Sequence, residues 1–172
     1  MNLKTLLILA ILGVAAYYAF YVKGLNPFAT KIDGNITLYS LDGKTTTLND
    51  LAGKNGTFIF YMTTWCSVCV EELKQAKTLS EFFRKKDINV VLCIGGGDRD
   101  EIHNWKYKRD VPWDWKTIYW QEELRTQFKI KKNAVPHLTV RDKKGVLVFS
   151  NAGGFYSDQL ADIALKMLDN EK

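Results

Sequence analysis

Cys66 and Cys69 stand three positions apart, and Glu72 follows three positions after the second. Two thiols at that spacing on one helical turn are close enough to close a disulfide. Chemistry of this kind runs through the thiolate, which attacks a disulfide sulfur and forms a mixed disulfide. The second thiol then attacks the first and releases reduced substrate, and to do so it must lose its proton while buried. A carboxylate three residues further along a helix lies on the same face. If partly buried, its pKa rises toward that of the thiol it must relieve, which suits Glu72 as proton acceptor for Cys69. Glu71 is rotated away by about 100° and is the poorer candidate.

The flanking residues give this trio its position. Phe58 to Met62 is an unbroken apolar run and reads as a buried strand. After Trp65 the period changes. Cys69, Leu73, Ala76, Leu79 and Phe83 recur three or four apart, the apolar face of one helix. The cysteine pair therefore sits where a strand hands over to a helix. The first helical turn has unpaired N–H groups and the positive end of the dipole, and both favour a thiolate. Cys66, at the start of the helix, is the expected attacker, and Cys69, one turn in, the resolving thiol.

Trp65-Cys66-Ser67-Val68-Cys69, Glu72 and Val135-Pro136 together resemble the thioredoxin superfamily, in its TlpA/ResA-like branch of membrane-anchored thiol–disulfide oxidoreductases. The resemblance covers about residues 33–170. It implies an α/β thioredoxin-like fold, a central mixed sheet flanked by helices, with a β-hairpin extension ahead of the core. It further implies that Pro136 is cis beside the cysteines and that Val135 pairs its backbone with an incoming peptide, in a site that includes Trp65. Two positions depart from the family pattern: Val68 and Lys74 stand where proline is frequent. The first bears on redox potential, the second on how the helix bends.

The 172 residues allow one domain and an appendage, and 47% hydrophobic content is ample for a core. The net charge of +5 comes from lysines spread along the chain, a solubilising surface rather than a nucleic-acid site. Thr5 to Val22 carries no charge; eighteen such residues make about 27 Å of helix, nearly a bilayer core. Tyr17, Tyr18 and Tyr21 sit toward one end, as interfacial aromatics do. A cleaved signal peptide with a site near Val14-Ala15-Ala16 competes with a retained anchor, and the length of the run favours the anchor. The absence of an early cysteine argues against lipid attachment. Residues 1–31 thus read as anchor and linker and 32–172 as the thioredoxin-like domain.

Asn35 to Tyr39 and Lys44 to Leu48, around Leu41-Asp42-Gly43, read as a hairpin added at a sheet edge. Ile88 to Ile94 reads as a central strand parallel to the first, with Cys93 a buried small hydrophobe rather than a third redox thiol. Gly95-Gly96-Gly97 lacks a phosphate-binding spacing and reads as a plain turn, and Asp98 with Glu101 as a capping box. The aromatic stretch Trp105 to Trp120 divides between core packing, the commoner fate, and a partner-binding face. Gln121 to Phe128 should be a short helix. His137 to Val140 and Val146 to Phe149 should pair through Asp142-Lys143-Lys144-Gly145, and Asp158 to Leu168 should close the domain as a helix. His137 reads as structural, although a histidine near a thiolate can tune it.

These features point to a thiol–disulfide oxidoreductase without cofactor or metal, acting outside the cytoplasm from a single-pass anchor in a bacterial inner membrane. A monomer is expected. The resemblance implies reduction of disulfide-containing proteins, apocytochrome c among them, and a membrane electron donor for re-reduction. The rival reading is a membrane-anchored copper-delivery module of the same fold, since soft thiolates suit copper(I). Related copper chaperones space their cysteines one residue wider. A structural zinc site would need four ligands, and His103 and His137 each stand alone. A peroxidase fits less well, since that branch lacks the Trp-Cys-x-x-Cys pair.

Overall fold

The structure, a computed structural model, describes Thr5, residues 32–131 and residues 134–169. Its centre is a five-stranded mixed sheet of order β5-β4-β3-β6-β7. The strands are β3 (Thr57–Thr63), β4 (Asn89–Gly95), β5 (Lys116–Tyr119), β6 (His137–Arg141) and β7 (Leu147–Ala152). β3, β4 and β5 are parallel; β6 runs antiparallel to β3, and β7 antiparallel to β6, so that β6 alone runs against the other four. Helices α1 (Ser67–Thr78), α2 (Ser80–Lys85), α3 (Arg99–Tyr107), α4 (Glu122–Gln127) and α5 (Ser157–Asp169) connect and flank the strands. This is the thioredoxin-like arrangement that the resemblance implies.

Why β3 shows no alternation is plain from its neighbours. Phe58, Phe60 and Met62 face one core with Leu73, Ala76, Ile102, Leu160 and Ala164 from the helices. Ile59 and Tyr61 face a second core with Val91, Cys93, Ile118, Leu124 and Phe128. A strand covered on both faces has no solvent side to mark. Cys93 is fully buried, as expected of a packing residue, and its thiol lies near the Tyr119 carbonyl at 3.5 Å.

Three elements differ from the sequence expectation. The hairpin, β1 (Thr37–Tyr39) with β2 (Thr45–Thr47), is not an edge strand pair of the main sheet but a separate two-stranded sheet. It touches the main sheet through one bridge, Ser40 to Ile118, and buries Leu38 and Leu48 in the second core. It therefore shares with α4 the covering of the second face of the sheet. The helix after the cysteines breaks at Leu79 into α1 and α2. There the Thr78 hydroxyl donates to the Gln75 carbonyl at 2.7 Å and the Ser80 hydroxyl to that of Lys77. Side-chain hydroxyls competing for helix carbonyls bend and end helices. Finally, β5 lies inside the aromatic stretch. Its four residues are too few to show a period, and the free edge of β4 makes the strand.

The aromatic stretch itself divides. Trp105 and Trp115 are buried, Tyr119 and Trp120 half-buried, and Tyr107 and Trp113 exposed. Among the described residues no helix is long and apolar enough to cross a membrane. The expected span, Thr5 to Val22, and the linker after it lie outside the described residues except for Thr5.

Candidate active site

β3 ends at Thr63, and the next residue, Thr64, is tied from three directions. Thr64 donates its N–H to the Gly95 carbonyl at 3.1 Å, and its hydroxyl donates to the Gly96 carbonyl. The indole N–H of Trp105, on α3, donates to the Thr64 carbonyl at 3.0 Å. Cys66 then takes an extended backbone and caps α1: its Sγ accepts from the N–H of Cys69 at 3.1 Å. The sulfur thus occupies the place of an N-cap oxygen, against an unpaired donor and the positive helix end. Both influences favour a thiolate over a thiol at that position when the bond is open.

Cys66 and Cys69 are joined as a disulfide with their Cα atoms 5.3 Å apart. Exposure separates their roles. Cys66 keeps 7% of its surface accessible, whereas Cys69 has none. A bulky disulfide partner can reach the first sulfur and not the second.

Glu72 lies one turn beyond Cys69 on the same buried face as Leu73 and Ala76. It is 2% exposed, and neither carboxyl oxygen has a hydrogen-bond partner among the described residues. Burial pushes its pKa up to about 8. The backbone of Phe155 pulls the other way, without a hydrogen bond of good geometry to either oxygen. Glu71, by contrast, is exposed, and its pKa is lowered by Lys74, whose ammonium donates to it at 3.0 Å. The two neighbouring carboxyls therefore differ as the helical rotation requires.

Val135-Pro136 is a cis peptide at the start of β6. Val135 packs against the same core as both cysteines and shares the wall of a cleft of about 450 Å³ with Trp65, Tyr119 and Trp120. Gly95, Gly96 and Gly97 line the same cleft. Trp65 itself is 71% exposed beside the disulfide. All six residues singled out in the sequence are thus gathered at one end of the sheet. His137 is turned to the other face, edge-on to Tyr61, with Nε2 2.9 Å from the Ser150 hydroxyl. It packs rather than tunes the sulfur.

Three contributors escaped sequence reasoning. Trp105 pins the peptide before the cysteines; its only local signal was a helical spacing to Ile102. Gly96 has φ +82°, and a β-carbon there would come 2.8 Å from Trp65 Nε1. The glycine turn is thus the seat of the Trp65 indole as well as a change of direction. Phe155 faces Glu72 from the loop before α5, a contact that no local pattern encodes. Among the described residues no three His, Cys, Asp or Glu side chains are placed to hold one metal ion.

The chain matches the redoxin family over residues 29–164. It is 28% identical over 100 residues to the thiol-disulfide oxidoreductase ResA of Bacillus subtilis (strain 168), over 58% of this chain and 55% of that protein. The chain thus spans about half the length of that relative. The fold is similar to a thioredoxin-family thiol:disulfide interchange protein of Chlorobium tepidum TLS, with TM-score 0.70, 16% identity, and 83% and 99% of the two chains covered. It is also similar to StoA of Bacillus subtilis, with TM-score 0.60, 14% identity, and 74% and 94% covered. A family match across most of the length, on a chain whose own dithiol caps a helix at the end of a thioredoxin-like sheet, settles its kinship: it belongs to the redoxin family.

Proposed function

We propose that this chain is a thiol–disulfide oxidoreductase that reduces protein disulfides through Cys66 and Cys69. The observation that carries the reading is the helix-capping disulfide backed by a buried, unpartnered Glu72. The reduced form has Cys66 as thiolate. It attacks a substrate sulfur, forms the mixed disulfide and expels one substrate thiolate. Cys69 gives its proton to the Glu72 carboxylate and attacks Cys66, which expels the second substrate thiolate and leaves the Cys66–Cys69 disulfide. Two electrons pass to the substrate, and the proton stays on Glu72. A carboxyl with a pKa near 8 retains that proton at neutral pH, and its affinity for it is close to that of the thiol it relieves. Trp65 and Val135 line the approach, with the cis Pro136 next in the chain, and in this reading the Val135 backbone pairs with an extended substrate.

The uncharged run from Thr5 to Val22 supports a membrane anchor with the domain outside the cytoplasm, where a dithiol is useful against protein disulfides. Apocytochrome c is the substrate class that the ResA likeness suggests, with a membrane electron donor restoring the dithiol. The deciding experiment is reduction of insulin and of an apocytochrome c disulfide by the reduced protein. Cys66→Ser should be inactive, and Cys69→Ser should accumulate mixed disulfides. Full activity in Cys66→Ser would overturn the assignment. The full-length chain should resist extraction from membranes by salt and carbonate; a mature protein beginning near Tyr17 would replace the anchor with a cleaved signal.

A further inference from the structure

β3, β4 and β5 all run toward the dithiol. The turns before them, with the β6–β7 turn, therefore form the opposite pole. Lys54, Lys86, Lys116, Lys143 and Lys144 are exposed there. Of the acids among them, Asp142 accepts the N–H groups of Lys144 and Val146, Asp114 pairs with Arg84, and Asp33 accepts the Asn35 N–H. Asp87 stands exposed beside Lys86, and Glu81 pairs with Arg84 and Lys85. The dithiol pole is opposite in sign along its two main turns, where Asp98, Asp100, Glu101, Glu122 and Glu123 outnumber Arg99 and Arg125.

Two aromatics stand out on the basic side. Trp113, in the turn before β5, is 90% exposed, and Tyr107, at the end of α3, is 85% exposed. The Val111 N–H, donating to the Lys106 carbonyl at 3.4 Å, folds the intervening loop back and brings the two segments together. Lys106, Lys108, Arg109 and Lys116 flank them, with Asp110 and Asp114 between. Isolated exposed apolar residues mean little, but nearly bare Trp and Tyr among basic side chains match what the lipid headgroup layer selects. The chain also enters the domain at this pole, where the Ile32 N–H donates to the Gly145 carbonyl at 3.4 Å. Nine residues, 23–31, separate Ile32 from the end of the uncharged run, a reach of about 30 Å at most.

We propose that this pole docks on an anionic lipid surface, with Trp113 and Tyr107 in the headgroup layer and the lysines on lipid phosphates, so that the dithiol faces away from the bilayer. The docking rests on the anchor reading above for its location, and the test separates the two. The full-length chain is reconstituted into vesicles of phosphatidylcholine with or without phosphatidylglycerol, using brominated lipids that quench nearby indoles. Residues 1–31 contain no tryptophan, so quenching reports the domain. Part of the emission should be quenched when phosphatidylglycerol is present, be relieved by salt, and vanish in Trp113→Phe. Lys86→Gln and Lys144→Gln should each lower the docked-to-undocked ratio about fivefold. Equal quenching in neutral vesicles, or quenching that survives Trp113→Phe, overturns the proposal. So does shielding of Trp113 by self-association without lipid, which would give the face to a second copy of the chain. Charge-dependent quenching in a chain that carbonate extracts would sustain the docking and remove the anchor.

Discussion

Trp105 holds Thr64: an indole N–H on α3 donates at 3.0 Å to the carbonyl that lies two residues before Cys66, across 41 positions of sequence. The approach to the reactive sulfur is therefore fixed by a helix that β4 separates from it in the chain. The guanidinium of Arg109 sits 4.5 Å from the centre of the same ring and donates to the Trp105 carbonyl at 3.2 Å. The ring is thus held from below as it holds the loop above.

Trp105→Phe keeps an aromatic ring in the core and deletes the donor. The Thr64 carbonyl loses a partner, which costs about 1–3 kcal/mol for a buried group. Thermal unfolding should show that loss. Attack by Cys66 should slow more than the loss of folded protein accounts for, because the capping geometry at Cys66 loosens. Stopped-flow reduction of a model disulfide at a temperature well below unfolding separates the two effects.

Glu72 makes the stability of the oxidised protein depend on pH. Its folded pKa, about 8, is above the ordinary carboxyl value, so the protonated form is the one that folding favours. The associated stability is complete below the ordinary carboxyl range and is lost as pH rises through about 8. By pH 7 the loss is on the order of 3 kcal/mol. Glu72→Gln should flatten that slope in urea unfolding of the oxidised form. It should also slow release from the mixed disulfide by roughly 100-fold while sparing the first attack. Glu71→Gln, on the exposed carboxyl, should do neither; equal kinetics in both variants would remove the proton-acceptor role.

Gly96→Ala places a β-carbon at φ +82°, 2.8 Å from Trp65 Nε1 and 3.3 Å from the Thr63 β-carbon. The backbone conformation alone costs about 1 kcal/mol or more for a residue with a side chain. Trp65 is exposed and can swing aside, so the expected outcome is a folded protein with a displaced indole. The change in tryptophan emission between oxidised and reduced protein should shrink, and KM for a peptide disulfide should rise more than kcat falls.

Cys93 should be silent. Burial pushes its thiol far above the ordinary range, and the side chain has no accessible surface. Native protein should resist alkylation at Cys93 in both redox states, and Cys93→Ala should exchange disulfides at the wild-type rate. A cost of about 1 kcal/mol in stability is expected from the small cavity. Loss of exchange in Cys93→Ala would make it a working thiol.

What the sequence determined by itself was local. A strand meeting a helix at Cys66, the resolving thiol one turn in, and Glu72 on its face all follow from a change of hydrophobic period within one stretch. A helix fixes the relation between residues three apart whatever surrounds it. The position of Val135-Pro136 was legible through likeness to a family rather than through any spacing, because a contact across 66 residues leaves no periodic trace. Tertiary structure decided the rest. How dry Glu72 is depends on Phe155 and α5 closing over α1, and desolvation is a property of what is packed around a group, not of the group. β5 exists because β4 offers it an edge, and four residues carry too little pattern to announce a strand alone. The hairpin's place over the second core was set by where Leu38 and Leu48 could be buried, which the strands' own alternation does not specify. The break at Leu79 came from hydroxyls that could equally have bonded to water. Trp105 and Trp113 are the same residue type eight positions apart, and one is in the core while the other is bare. Composition told that aromatics were plentiful there; only the fold, by turning α3 against the active-site loop and leaving the next turn outside, sorted them.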